Sequence, residues 1–117
     1  MPLLVMSPEE KMLRVDTLLS HVWMVRTFLK HSDEAQEDEE LAEVHRTLYD
    51  CMHALGAAAN ASDAETFLKQ AKKKLGKLKQ AAELFEEIQP EISSHTNFQM
   101  ARQSLTAAIG EIATLLE

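Results

Sequence analysis

The sequence predicts an all-α, single-domain antiparallel up-down-up-down four-helix bundle. Three observations predict it. Apolar residues recur three and four apart along most of the chain, which is helical and not strand spacing. Breakers are scarce, with 3 Gly and 3 Pro in 117 residues. The few β-branched and aromatic residues make poor strand material. A chain of this length buries a core without disulfides or a structural metal, and the periodic segments divide it into helices at about 8–31, 36–59, 63–89 and 94–116.

The first helix opens at Ser7-Pro8-Glu9-Glu10. Ser7 can cap, Pro8 suits the first helical position, and Glu10 completes a capping box. Met12, Val15, Leu18, Leu19, Val22, Val25 and Leu29 then form one apolar face, and Lys30 and His31 suit the negative C-terminal end. In the second helix Ser32 or Asp33 is the candidate cap. The acidic run Glu34, Glu37, Asp38, Glu39 and Glu40 suits its positive end, and Leu41, Val44, Leu48, Cys51, Met52 and Leu55 form its stripe. The third starts at the capping box Ser62-Asp63-Ala64-Glu65 and carries Phe67, Leu68, Ala71, Leu75, Leu78, Ala82, Phe85 and Ile88; Pro90 is expected to end it or to begin the next helix. The fourth begins between Glu91 and Asn97, with Ser93, Ser94, Thr96 and Asn97 as candidate caps. Its residues Phe98, Ala101, Leu105, Ala108, Ile112 and Leu115 have the seam spacing of bundle packing.

Charge divides the helices. Lys and Arg number 12 against 19 Asp and Glu, a net charge of -7 that disfavours nucleic acid as a partner. The second helix is acidic early. The third carries Lys69, Lys72, Lys73, Lys74, Lys77 and Lys79, so a hairpin of the two sets Glu40 and Glu43 against Lys77, Lys79 and Lys74. By contrast, Thr17 to Val25 contains no Asp, Glu, Lys or Arg. The outer side of helix 1 reads Leu13, Thr17, Ser20, Met24 and Phe28, and that of helix 4 reads Gln99, Gln103, Thr106 and Gly110. A charge-poor surface with Met and Phe has the composition of an interface centre, so these nine residues form the candidate interface of a homodimer or of a complex with another protein. The competing reading covers helix 1 with the N-terminal segment Pro2-Leu3-Leu4-Val5-Met6.

Trp23, Arg26, His45 and Tyr49 form a second candidate, the edge of a small-ligand or anion site; the helix 3 lysines are the other basis for anion binding. Arg26 falls near an apolar face, and the simplest way to hold it there is an ion pair with Glu43, Glu111 or Asp50. Cys51, the one cysteine, sits on a core stripe and has no disulfide partner, which suits a cytoplasmic protein. Met1 to Met6 lacks the features of a signal peptide, and no apolar run has the length of a membrane span, so no membrane is expected among the partners. His21, His31, His45, His53 and His95 are scattered without inward carboxylates, so no metal site and no cofactor is expected. No titratable pair is spaced to work together, which argues against an enzyme.

The segment His53-Ala54-Leu55-Gly56-Ala57-Ala58-Ala59-Asn60 is similar, in its small-residue tail, to the segment around the reactive histidine of histidine phosphotransfer domains. Those domains are four-helix bundles of this size. The lysine of that motif is missing here, and Gly56 follows His53 by three residues instead of four. What the resemblance implies, as a remote alternative, is phosphotransfer through His53.

Overall fold

The computed structural model describes residues 5–60 and 63–117, with side chains described at 5–56 and 63–117. Among the described residues the chain is all-helical: α1 (Pro8–Lys30), α2 (Asp33–Glu37), α3 (Glu39–Asn60), α4 (Ala64–Ile92) and α5 (Thr96–Leu116). α1 packs along α3 and α5, α4 packs along the same two, and α1 also meets α4 across the core.

Helix starts follow the caps. The Ser7 hydroxyl accepts from the Glu10 N–H while the Glu10 carboxylate accepts from the Ser7 N–H, so two otherwise orphaned donors are satisfied. The Ser7 N–H holds the Glu10 carboxyl below the usual carboxylate range. Asp63 caps α4 through the Thr66 N–H, and the Thr66 hydroxyl donates to the same carboxylate. Ser62, the other polar residue of that predicted box, lies outside the described residues, as do residues 2–4 of the segment considered as a cover for α1.

Two boundaries and one cap differ from the sequence reading. The acidic stretch does not run straight into the second long helix. Ser32 caps a short helix, α2, by accepting from Ala35 N–H. Asp38 then turns extended and accepts from Leu41 N–H, starting α3 at Glu39 and not near residue 36. Pro90 does not end α4, which continues to Ile92. Proline removes one N–H donor there, while past it the Ser93 N–H donates to the Gln89 carbonyl and the Gln89 side chain, buried at 2% exposure, donates to the Ser93 carbonyl at 2.8 Å. α5 is capped by none of the four polar candidates but by His95, whose Nδ1 accepts from Asn97 N–H at 3.0 Å.

The core stripes lie where periodicity puts them. Val15, Val22, Leu29, Leu41, Leu48, Phe85 and Leu105 are fully buried. Inter-helix pairs fix the registers: Arg14 meets Glu111 at 2.6 Å and Phe28 meets Phe98 edge-on at 5.0 Å between ring centres. Lys79 meets Glu117 at 3.4 Å and Thr106 donates to Glu86 at 3.4 Å. No ion pair joins α3 to α4 among the described residues, contrary to the acidic–basic hairpin expected of Glu40 and Glu43 with Lys74, Lys77 and Lys79. Exposed Lys and Glu gain only ~0–1 kcal/mol from pairing in water and lose side-chain freedom by it.

Two substitutions test this packing. Phe85→Ala empties the centre of the core and should lower unfolding stability in urea by about 3–5 kcal/mol. Gly76 is an exposed mid-helix glycine whose added Cβ would meet nothing within 4 Å. Gly76→Ala should therefore raise stability by about 0.5–1 kcal/mol, and a loss would contradict the placement.

Candidate functional site

Residues three and four apart share a helix face, which puts Trp23, Arg26 and Lys30 on one flank of α1 and His45, Tyr49 and His53 on one flank of α3. The structure brings Trp23, Arg26 and Tyr49 together. The Arg26 guanidinium carbon lies 4.7 Å from the Trp23 ring centre and 4.7 Å from that of Tyr49. The two ring centres are 6.3 Å apart with planes tilted by 40°, so the rings form an open notch around the cation. His53 stacks on Tyr49 with ring centres 6.0 Å apart. Arg26 is 8% exposed, whereas Trp23 and Tyr49 are 39% and 40% exposed.

The ion pair expected for Arg26 is absent among the described residues. Glu111 is held by Arg14. Glu43 and Asp50 border a groove on the opposite flank of α3, with Lys77 and Gln80 of α4. At ~100° per residue, Glu43 lies about 200° round from His45, so the carboxylates of α3 point away from Arg26. Its Nε is sealed from water and has no hydrogen-bond partner. No ion pair to the guanidinium is found among the described residues, and the residue as a whole keeps 8% of its surface exposed. Cation–π contact with two ring faces is what holds the charge, each worth ~0.5–2 kcal/mol.

His45 is half-buried beside this cluster. Burial, followed by the positive charges of Arg26, Arg46 and Lys30, pushes its pKa below the ordinary 6.5. Arg26, Arg46 and Lys30 thus gather near this flank of α3 in a chain of net negative charge.

The candidate interface divides. On α1, Leu13, Thr17, Ser20 and Met24 lie within about 60° of one another on the outer side. Leu13 is 64% exposed and Met24 65%, while Phe28 is half-buried against Phe98. The outer groove between α1 and α5 is lined by His21, Met24 and Phe28 with Asn97, Met100 and Ser104. Gln99, Gln103 and Thr106 instead line the groove between α5 and α4, with Glu86, Gln89 and Pro90, and Gly110 turns the same way toward Lys79 and Glu83. The two halves of the nine-residue set therefore do not make one surface. The flank of α5 beside α1 carries Met100, 51% exposed, which sequence reasoning missed. The α5 core stripe leaves two flanks, and only the handedness of packing decides which one meets α1.

Elsewhere, Cys51 is buried, and burial pushes its thiol pKa up, as for a core side chain. Lys69, Lys72, Lys73 and Lys77 are exposed along α4, and the groove that Lys77 borders has Glu43 and Asp50 on its other side and no aromatic residue. Among the described residues no group of three His, Cys, Asp or Glu side chains could hold a metal ion, and no helix is long and apolar enough to cross a membrane. No family model, curated protein or solved structure matches the chain.

The depressed pKa of His45 carries a pH signature. Above the ordinary 6.5 the imidazole is neutral in both states and contributes nothing. As pH falls below that value the unfolded chain takes up the proton first, so stability declines until the folded state is protonated as well. Glu10 and Asp63 also have lowered values and act in the same direction at lower pH, losing their stabilising effect only as pH falls below their ordinary 4.5 and 3.8. Between about pH 7.5 and about pH 5, the protein should lose more stability than its His45→Gln variant, measured by urea unfolding. Equal losses would contradict the burial of His45 beside Arg26.

Proposed function

We propose that this chain is a non-enzymatic interaction module: an antiparallel up-down-up-down four-helix bundle that pairs with a second copy through the outer face of α1 and the adjoining flank of α5. The bundle reading is supported by the registers. Residues 14 and 28 of α1 meet 111 and 98 of α5, and residues 79 and 86 of α4 meet 117 and 106 of α5, so numbering runs in opposite senses along each pair.

One observation carries the self-association reading. Leu13 and Met24 stand exposed three turns apart on one side of a helix whose other sides already bury Val15, Val22 and Leu29, with exposed Met100 beside them. Apolar side chains on all sides of a surface helix mark a face that another element covers. The strip between them carries Thr17, Ser20 and His21, with exposed Asp16 at its edge one turn from Leu13. Two helices side by side offer a face roughly 20 Å by 30 Å, so a paired interface buries roughly 1,200 Å², the lower bound for stable association. Two copies of charge -7 repel, so contact belongs where charge is least.

Sedimentation equilibrium tests this. A dimer at micromolar concentration is expected, tightening as salt rises from about 20 to about 200 mM because repulsion is screened. Leu13→Glu and Met24→Glu should each shift it to monomer with helicity unchanged. A monomeric protein at all these concentrations, or a dimer indifferent to both substitutions, overturns the proposal.

A further inference from the structure

We propose that Trp23, Arg26 and Tyr49 form a binding site for a small organic anion, a carboxylate or phosphate carried on an apolar or planar body. The site lies between α1 and α3 and is independent of the self-association face.

Arg26 sits in an incomplete electrostatic arrangement. Arg26 is more than nine-tenths buried, yet no carboxylate reaches it among the described residues. Buried charges are ordinarily paired, because taking an ion out of water costs several kcal/mol. The two ring faces offset part of that cost but offer no lone pairs to the guanidinium N–H groups. With Nε sealed and the residue 8% exposed, an arriving partner has the Nη edge to meet. A guanidinium presents paired donors along such an edge, which match the two oxygens of a carboxylate or phosphate.

The surroundings favour the same occupant. Lys30 and Arg46 lie close enough for their charge to reach His45, which itself adjoins Arg26. Glu43 and Asp50, which could have compensated Arg26, line the other flank of α3. An anion arriving at the Nη edge therefore meets a positive local field despite the acidic chain. The ring edges on either side are about two-fifths exposed, so the ligand's organic part can lie against Trp23 and Tyr49 as the oxygens meet the arginine. Rigid aromatics on both sides hold the guanidinium in one orientation before the ligand arrives, which lowers the cost of binding.

Trp23 is the sole tryptophan, so its fluorescence reports on this site alone. The probes are benzoate, phenyl phosphate, acetate and inorganic phosphate, each titrated against chloride at matched ionic strength. A saturable change in Trp23 emission is expected with benzoate or phenyl phosphate, about fivefold or more tighter than with acetate or inorganic phosphate. The tighter of the two aromatic probes identifies the oxyanion class. Arg26→Met should abolish the response, and Arg26→Lys should weaken it by losing the paired donors. Should Arg26→Met fail to fold, the double variant Lys30→Ser with Arg46→Ser changes only exposed residues; it should weaken binding about threefold or more through the field. The proposal is overturned by the absence of saturation with all four probes or by acetate binding as tightly as benzoate. A response that survives in folded Arg26→Met, or one unchanged in the double variant where Arg26→Met does not fold, also overturns it.

Discussion

α1 is the helix against which the rest of the molecule is assembled, and it is apolar on more sides than its neighbours can cover. It contacts α2, α3, α4 and α5. Its inner positions, Val15, Val22 and Leu29, are sealed completely. A helix in one corner of a four-helix arrangement has two flanking neighbours and one across the diagonal, which leaves the outer third of its circumference open. On α1 that third holds Leu13 and Met24, where an ordinary surface helix would carry Glu or Lys. The proposed interface follows from this excess of apolar surface, and the arginine site follows from the flank next to it, where α1 meets α3.

Arg26 shows how a buried cation is held by polarisable surface in place of a counter-ion. A pair with Glu43 or Asp50 would need α3 rotated by about half a turn, which would pull Val44 and Leu48 out of the core. Core burial of those two side chains is worth ~1.5–3 kcal/mol each, more than one partly solvated ion pair returns. The core therefore sets the rotation of α3, the rotation sets which side chains face α1, and Arg26 receives two aromatic rings. His45 experiences the result, since its neighbours are positive and none of the carboxylates on its own helix turns toward it closely enough to pair.

Much of this was legible in the residues. The buried stripes of α1, α3, α4 and α5 follow from spacing alone, because a helix has one period and the apolar effect acts on it directly. The Ser7 box and the Asp63 cap were legible because cap chemistry is local. The clustering of Trp23, Arg26 and Tyr49 was also foreseeable, since two periodic flanks of adjacent helices must meet. Other features depend on competition between local signals. The break at Asp38 arises because two caps, Ser32 and Asp38, lie six residues apart and both are used. The His95 cap takes the place of four better candidates by accepting from the Asn97 N–H through Nδ1. Pro90 reads as a terminator, yet a single missing donor near a helix end is tolerated, and α4 runs two residues further. The division of the nine-residue surface could not be read at all, because the handedness of packing that assigns each α5 flank to a neighbour leaves no mark in the periodicity.

Met24 offers the most direct measurement of the central claim, that the outer face of α1 is a surface for a second copy. The rate of its oxidation by hydrogen peroxide depends on exposure of the thioether. It can be followed residue by residue alongside Met12 and Met52, which are half-buried within the protomer. The account predicts that oxidation of Met24 slows several-fold as protein concentration rises from about nanomolar to about 100 micromolar, with Met12 and Met52 unchanged. A Met24 rate that is the same at both concentrations would contradict it.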